Sequence, residues 1–336
     1  MRIFGILCGL LALLLFTLPV LVFDFSGRLT DTVQAGFAAF SNDEAKDNAQ
    51  NTANEKTDTV TVLQAASGNI VETDTVEYLV GCLACELPPD TPTEALKAQA
   101  VAAYTNVVRL KEKPDGKAGD ADITDDTGLH QGYYDMQTRR EKWGDKYDAY
   151  TEKFTAAVNA VYGQKLTYEN KPITAAYFAL CAGKTESAKN IWGGDIPYLV
   201  SVPSTGDRLS PDLQTETVLS ADEVRKALSQ DSEITLGENP AEWITDLQVS
   251  SSESGAVVSV CVGGKTVTGQ TLRARLGLRS PAFTVTFSDG NFHFSVSGSG
   301  HFVGMSQYGA DYMARQGADY KEILAHYYPN TVLETA

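Results

Sequence analysis

Residues 74–111 read DTVEYLVGCLACELPPDTPTEALKAQAVAAYTNVVRLK. Over Asp74–Leu87, the residues Val76, Leu79, Val80, Leu83 and Leu87 recur at helical spacing and form one apolar stripe. At about 100° per residue, Glu86 falls about 20° from Leu79, on the edge of that stripe. Pro88 and Pro89 stop the helix, which leaves the Glu86 carboxyl on its last turn. The negative end of the helix dipole and partial burial both raise the pKa of such a group. A general acid working near neutral pH needs those conditions. An ordinary exposed glutamate at a helix end fits the same spacing. Thr91-Pro92-Thr93-Glu94 then reads as a capping box that launches an alanine-rich helix over Thr93–Lys111. Leu96, Gln99, Ala103, Val107 and Leu110 share one face of it. Gln99 stands where an apolar residue is expected, and a buried amide needs partners. It either bonds the preceding loop or faces a groove and holds a polar ligand.

Outward from this helix pair, further helices are expected over Lys153–Tyr162, Ala221–Ser229, Ser306–Arg315 and Asp319–Tyr328. Strands are expected over Ile70–Glu72, Lys165–Tyr168, Thr174–Ala179, Ile244–Val249, Val257–Val262 and Phe283–Phe287. Helices and strands do not alternate regularly, so the fold class is α+β rather than a doubly wound sheet. The polar stretch 207–239 reads as a variable insertion carrying a small helix.

The run Ile3–Phe23 is uncharged over 21 residues, with Arg2 as its flanking cation. It is long enough to cross a bilayer. A cleaved signal peptide shares these features, but the first small-x-small site lies near Gln34, late for cleavage. Too little apolar sequence precedes Cys8 for a lipoprotein. The organisation expected is a transmembrane anchor over 1–23, a polar spacer over 24–69 and a catalytic domain over 70–336, with the body outside the cytoplasm.

The 336 residues include 43 acidic and 27 basic side chains, a net charge of −16. That balance excludes nucleic acid as a partner and polybasic attachment to anionic lipid. Five scattered cysteines make no disulfide scaffold. Cys82 and Cys85 form a Cys-x-x-Cys inside an apolar helix, which reads as packing.

Four ordered blocks carry a resemblance to a known family. The first is Glu77–Pro88 followed by Glu94–Ala103; the second runs from Ala160-Val161-Tyr162-Gly163 through Cys181-Ala182-Gly183-Lys184-Thr185 to Trp192 and Pro197-Tyr198-Leu199. The third is Thr268-Gly269 with Leu272–Ser280, and the fourth Gly300-His301, Val303–Ala310 and Ile323–Pro329. Together, over about Val71–Leu333, they resemble the SpoIID/LytB family. The resemblance implies two lobes around a glycan-binding groove. It also implies lytic transglycosylase activity, in which Glu86 as catalytic acid opens the bond between N-acetylmuramic acid and N-acetylglucosamine in peptidoglycan and leaves a 1,6-anhydro end. It further implies septal wall remodelling and engulfment during sporulation, from the mother-cell membrane facing the septal space. The partners implied are peptidoglycan glycan strands, an engulfment amidase or endopeptidase, and membrane scaffold proteins.

Candidate substrate-binding residues are Gln99, Tyr104, Gly183, Lys184, Thr185, His301, Gln307 and Tyr308. The Gly183-Lys184-Thr185 turn reads as a binding loop, since Walker spacing is absent. Two departures from the family stand out. Tyr104 occupies the place of an arginine, and a phenol cannot fork onto a pair of oxygens. The family's His and Cys zinc cluster before Gln131-Gly132-Tyr133 is reduced to His130, and one ligand makes no tetrahedral site, so no cofactor is expected. Two other readings stay open: a noncatalytic peptidoglycan-binding protein, and a wall amidase or peptidase using Cys181 with His301 or His326. With so acidic a chain, glycan is expected to be held by neutral hydrogen bonds and aromatic faces, without salt sensitivity.

Overall fold

The computed structural model describes residues 58–335. The expected anchor and the chain up to residue 57 lie outside the described residues. Among the described residues, no helix is long and apolar enough to cross a membrane.

The folded part starts earlier than the expected residue 70. Thr59–Leu63 (β1) turns Val60 and Val62 into the core, and its polar remainder conceals it in the sequence. It pairs antiparallel with Ile70–Asp74 (β2) and in parallel with Ile123–Thr124 (β3). Asp74 caps α1 (Thr75–Glu86) by accepting the Val76 and Glu77 amides, and Leu79, Val80, Leu83 and Leu87 are buried as the periodicity requires. The next helix, α2 (Thr93–Glu112), forms without the expected capping box, because Pro92 takes the cap position and offers no side-chain bond. Glu94 instead pairs with Lys97 and accepts the Tyr320 amide at 3.0 Å, which ties this helix start to the end of the chain.

Two helices follow, α3 (Met136–Trp143) and α4 (Tyr147–Asn159). The second begins ahead of the expected Lys153 because Tyr147, Tyr150 and Phe154 all pack on Trp143. Gln164–Tyr168 (β4) then pairs with Lys171–Pro172 (β5). The expected strand over Thr174–Ala179 shortens to Tyr177–Phe178 (β6), and a short helix, α5, spans Ala188–Trp192.

The chain next builds a second core. It comprises β7 (Gln214–Ser220), α6 (Ala221–Leu228), β8 (Ile244–Val249), β9 (Val257–Val262), β10 (Lys265–Val267), α7 (Gly269–Leu276), β11 (Phe283–Ser288) and β12 (Asn291–Ser297). Two antiparallel sheets, ordered β10-β9-β8 and β11-β12-β7, enclose Val224, Leu228, Trp243, Leu272, Phe292 and Phe294. The stretch 207–239 is therefore integral, not an appended insertion: β7 pairs with β12 along its length, and Asp207 is itself buried. Its polarity reflects strand alternation, with one face of β7 open to solvent.

The chain returns to the first core through β13 (Met305–Ser306), α8 (Gln307–Arg315), α9 (Tyr320–Tyr327) and β14 (Val332–Thr335). β13 pairs in parallel with β6, and β14 pairs with β4. The result is the expected α+β fold; its two hydrophobic cores each form one lobe of a single compact unit. Tyr327 and Tyr328 are buried in the first core, with their hydroxyls bonded to Ser204 and to the Ala176 carbonyl.

Glu186 clips the lobes together. It is fully buried on the first lobe, and it accepts the Ser252 and Ser254 hydroxyls of the β8–β9 connection together with the Ser187 amide and the Asn190 side chain. Burial alone would raise its pKa, but these donors and Ser250 hold the carboxyl below the usual glutamate range. A depressed folded-state pKa contributes stability above the unfolded value and loses it as pH falls through the folded one. Glu186→Gln is therefore expected to lower unfolding free energy by about 2–3 kcal/mol at neutral pH. In urea titrations the gap from wild type should close as pH drops below about 4.

Candidate active site

Glu86 closes α1, and each of its oxygens meets one neutral donor. The Gly132 N–H donates to Oε1 at 3.3 Å, and Gln307 Nε2 donates to Oε2 at 3.1 Å. Burial raises the carboxyl pKa, against the opposing bonds from Gln307 and Gly132. The shift favours the protonated form, and its cause is burial.

Glycine is required at 132, since a Cβ there would stand 2.5 Å from Cys85 Sγ and 3.4 Å from Glu86 Oε1. The loop lies flat on α1, where Tyr134 N–H donates to the Gly81 carbonyl at 3.1 Å and Tyr133 stacks on Tyr78. Gln131 anchors it from below, donating to Tyr78 Oη (3.2 Å) and the Ala103 carbonyl (3.3 Å). Cys82 and Cys85 are unpaired, the first in the core and the second against this loop, so the Cys-x-x-Cys is packing.

Gln307 is the first residue of α8. Ser306 caps that helix by accepting the Gly309 amide, and its own hydroxyl donates to Asp207 at 2.7 Å. Asp207 also accepts the Cys181 amide (2.7 Å) and the Ser204 hydroxyl (3.0 Å). This buried carboxylate sets the start of α8, and through it the reach of Gln307. No sequence signal marks Asp207, which opens a polar stretch beside a glycine and serines without apolar period.

Glu86 lines two cavities. The first, about 350 Å³, is bounded by Asn106, Arg109, Tyr177, Phe178, Arg273 and His301, among others. The second, about 400 Å³, is bounded by Pro88, Asp90, Ala179, Gln307, Tyr308 and Asp311, among others. Of the expected binding residues, His301 lines the first cavity with the acid, and Gln307 and Tyr308 line the second. The His301 ring packs on Phe178 and Trp192, and its Nδ1 accepts the Val303 amide at 3.1 Å. Burial and the nearby Arg273 charge, opposed by the Tyr177 backbone, push its pKa down to about 4. It is therefore neutral at pH 7, with the proton assigned to Nε2.

Other expected residues lie elsewhere. Gln99 is 1% exposed, lines neither cavity and has no hydrogen-bond partner among the described residues. Tyr104 packs on Tyr162 at 5.4 Å between ring centroids. At 100° per residue, the groove residue Asn106 is 200° around α2 from it, so Tyr104 faces away from the groove. Gly183, Lys184 and Thr185 line neither cavity: a Cβ at Gly183 would strike Arg208, Lys184 pairs with Glu253, and Thr185 is buried against Val200 and Val202. Cys181 is buried, and burial with the adjacent Asp207 pushes its thiol far up. Neither histidine bonds to it, and His326 Nε2 meets the Pro203 carbonyl instead. The cysteine-nucleophile reading therefore fails.

His130 does not fit a zinc site. Its Nδ1 accepts the Thr124 amide at 3.1 Å, and Nε2 faces the Asp115 carboxylate at 3.1 Å, so both nitrogens are engaged within the loop. The groove also differs from the neutral one expected, because two arginines, Arg109 and Arg273, line its first cavity.

A family model described as stage II sporulation protein, SpoIID, matches residues 64–168. Stage II sporulation protein D of Bacillus amyloliquefaciens is 34% identical over 98% of this chain and 95% of its own length. The protein of that name from Bacillus subtilis is 33% identical over 99% of this chain and 94% of its own. An amidase enhancer of Bacillus subtilis is 29% identical, over 76% of this chain and 40% of that relative.

Gln307→Ala removes a donor that favours ionised Glu86. The Glu86 titration, followed by carbon-13 chemical shift, is expected to move to higher pH, while Tyr308→Phe leaves it in place.

Proposed function

The chain belongs to the SpoIID family, and from that premise we propose that it is a lytic transglycosylase acting on peptidoglycan glycan strands. The observation that carries the reading is one carboxyl raised by burial, Glu86, that lines both cavities. The other carboxylates of the groove, Asp90 and Asp311, belong to the second cavity, and Asp311 is paired with Arg315. Hydrolases of the two-carboxylate type need a second free acid flanking the bond.

One acid suffices for the lytic reaction. Glu86 gives its proton to the leaving glycosidic oxygen as the bond from the muramic anomeric carbon breaks and the sugar gains oxocarbenium character. The resulting carboxylate takes the proton of the muramic 6-hydroxyl, whose oxygen bonds to the same carbon. The anhydro ring closes, Glu86 is again protonated, and water takes no part. Gly132 N–H and the Gln307 amide stabilise the carboxylate in mid-reaction without adding a competing charge. Tyr308 offers a ring in the second cavity.

The proposed setting is the outer face of the membrane, held by the apolar run 3–23, in wall remodelling during sporulation. The relative named amidase enhancer supports work beside an amidase at the wall. No zinc is assigned to the enzyme, since His130 is already engaged on both nitrogens.

Glu86→Gln is expected to cut release of anhydro-muropeptides by at least about a hundredfold, with an unchanged circular dichroism spectrum. Cys181→Ser should retain activity. Mass spectra showing reducing ends in place of anhydro ends would replace this reading with hydrolysis. Absence of any cleavage by wild type, with retained pelleting on glycan, would replace it with a binding protein. Exhaustive chelation, followed by metal analysis, is expected to leave both activity and melting temperature unchanged.

A further inference from the structure

Arg109 and Arg273 enter the first cavity from different lobes, one from the last turns of α2 and the other from α7. The chain has a large excess of acids, and many of its cations find one: Lys97 with Glu94, Lys111 with Asp58, Lys265 and Arg275 with Asp231. Among the described residues, neither Arg109 nor Arg273 has a carboxylate partner. Arg109 Nε is buried with no hydrogen-bond partner at all. Arg273 spends Nε on the Leu278 carbonyl (3.1 Å) and Nη1 on Gln270 (3.2 Å), so two bonds fix the guanidinium while Nη2 stays unused.

Burial penalises the Arg273 charge, and neither guanidinium in the cavity has a carboxylate partner to compensate it. The Arg273 charge already reaches the neighbouring ring, where it helps hold His301 neutral. An anion between them would relieve both, and the guanidinium fork suits a planar pair of oxygens. Glu86 itself is engaged by Gly132 and Gln307.

We propose that the first cavity contains a carboxylate subsite, built by Arg109 and Arg273, that reads an acid group carried by the glycan strand. The inference rests on the groove being the glycan site. A strand offers that chemistry from two sources. One is the lactyl carboxylate of a muramic residue, free only where no stem peptide is amidated to it. The other is a carboxylate of the stem peptide.

Binding without turnover tests this directly. The full-length Glu86→Gln protein is titrated calorimetrically with three probes: peptide-free strands, the same strands with lactyl carboxylates converted to methylamides, and peptide-bearing strands. The expected result is roughly tenfold to a hundredfold tighter binding of one carboxylate-bearing probe than of the methylamide. Adding Arg109→Gln or Arg273→Gln should erase that difference and leave methylamide affinity unchanged; Arg109→Lys should erase only part of it. A preference for peptide-free strands assigns the lactyl source, and one for peptide-bearing strands the stem peptide. Equal weakening of all three probes, or of none, overturns the subsite. Wild-type release of anhydro ends is scored separately. Arginine-dependent binding without such release overturns the proposed reaction alone, whereas release with arginine-independent binding overturns the subsite alone.

Discussion

The arrangement depends on a carboxyl at a helix end that meets only neutral donors. An arginine or lysine at Glu86 would stabilise its ionised form and remove the proton the chemistry needs. A backbone amide and a side-chain amide hold the same oxygens in place while leaving burial dominant. Much of the surrounding structure serves to deliver those two groups. Gly81 and Gly132 let a loop lie against α1, and Asp207 with Ser306 sets the first residue of α8.

The groove is a property of both lobes together. The first lobe supplies the acid, its donors and Arg109; the second supplies Arg273. That makes the buried Glu186 clip more than a local stabiliser, since it joins the two walls. Charge is sorted accordingly. Carboxylates that hold the fold are saturated by hydroxyls and amides, while the cations of the first cavity are left without carboxylates. Net acidity suggested a neutral groove, but net charge averages over a surface and says nothing of where the few unpaired cations point.

Helices α1, α2, α4, α6, α8 and α9 and several strands were legible because apolar period and breakers are local. The α1 stripe and its Pro88-Pro89 stop placed Glu86 correctly at a helix end, and Ile244–Val249 and Val257–Val262 appear as strands with the expected bounds. Half-polar strands such as β1 and β7 were not legible, since alternation over a few threonines and glutamates resembles a solvated stretch. Tyr104 misled for a different reason. Its position in a family block marked it as a site residue, yet the face of α2 it occupies turns away from the groove. Arg109, five residues on, points where that substitution drew attention.

By itself the sequence determined the α+β class, six of the helices and the candidate acid, because these follow from spacing along the chain; α3, α5 and α7 carry no such signal. It also placed His301, Gln307 and Tyr308 in one short block. Only the tertiary structure decided which groups touch that acid. Its two donors come from 46 and 221 residues away, and no local pattern encodes which distant amide a carboxyl will meet. That depends on strand pairing, on a glycine thin enough to admit a backbone, and on a buried aspartate. The same closure drew two arginines from separate lobes into one cavity, where cations without carboxylate partners give the groove a charge that the composition could not reveal.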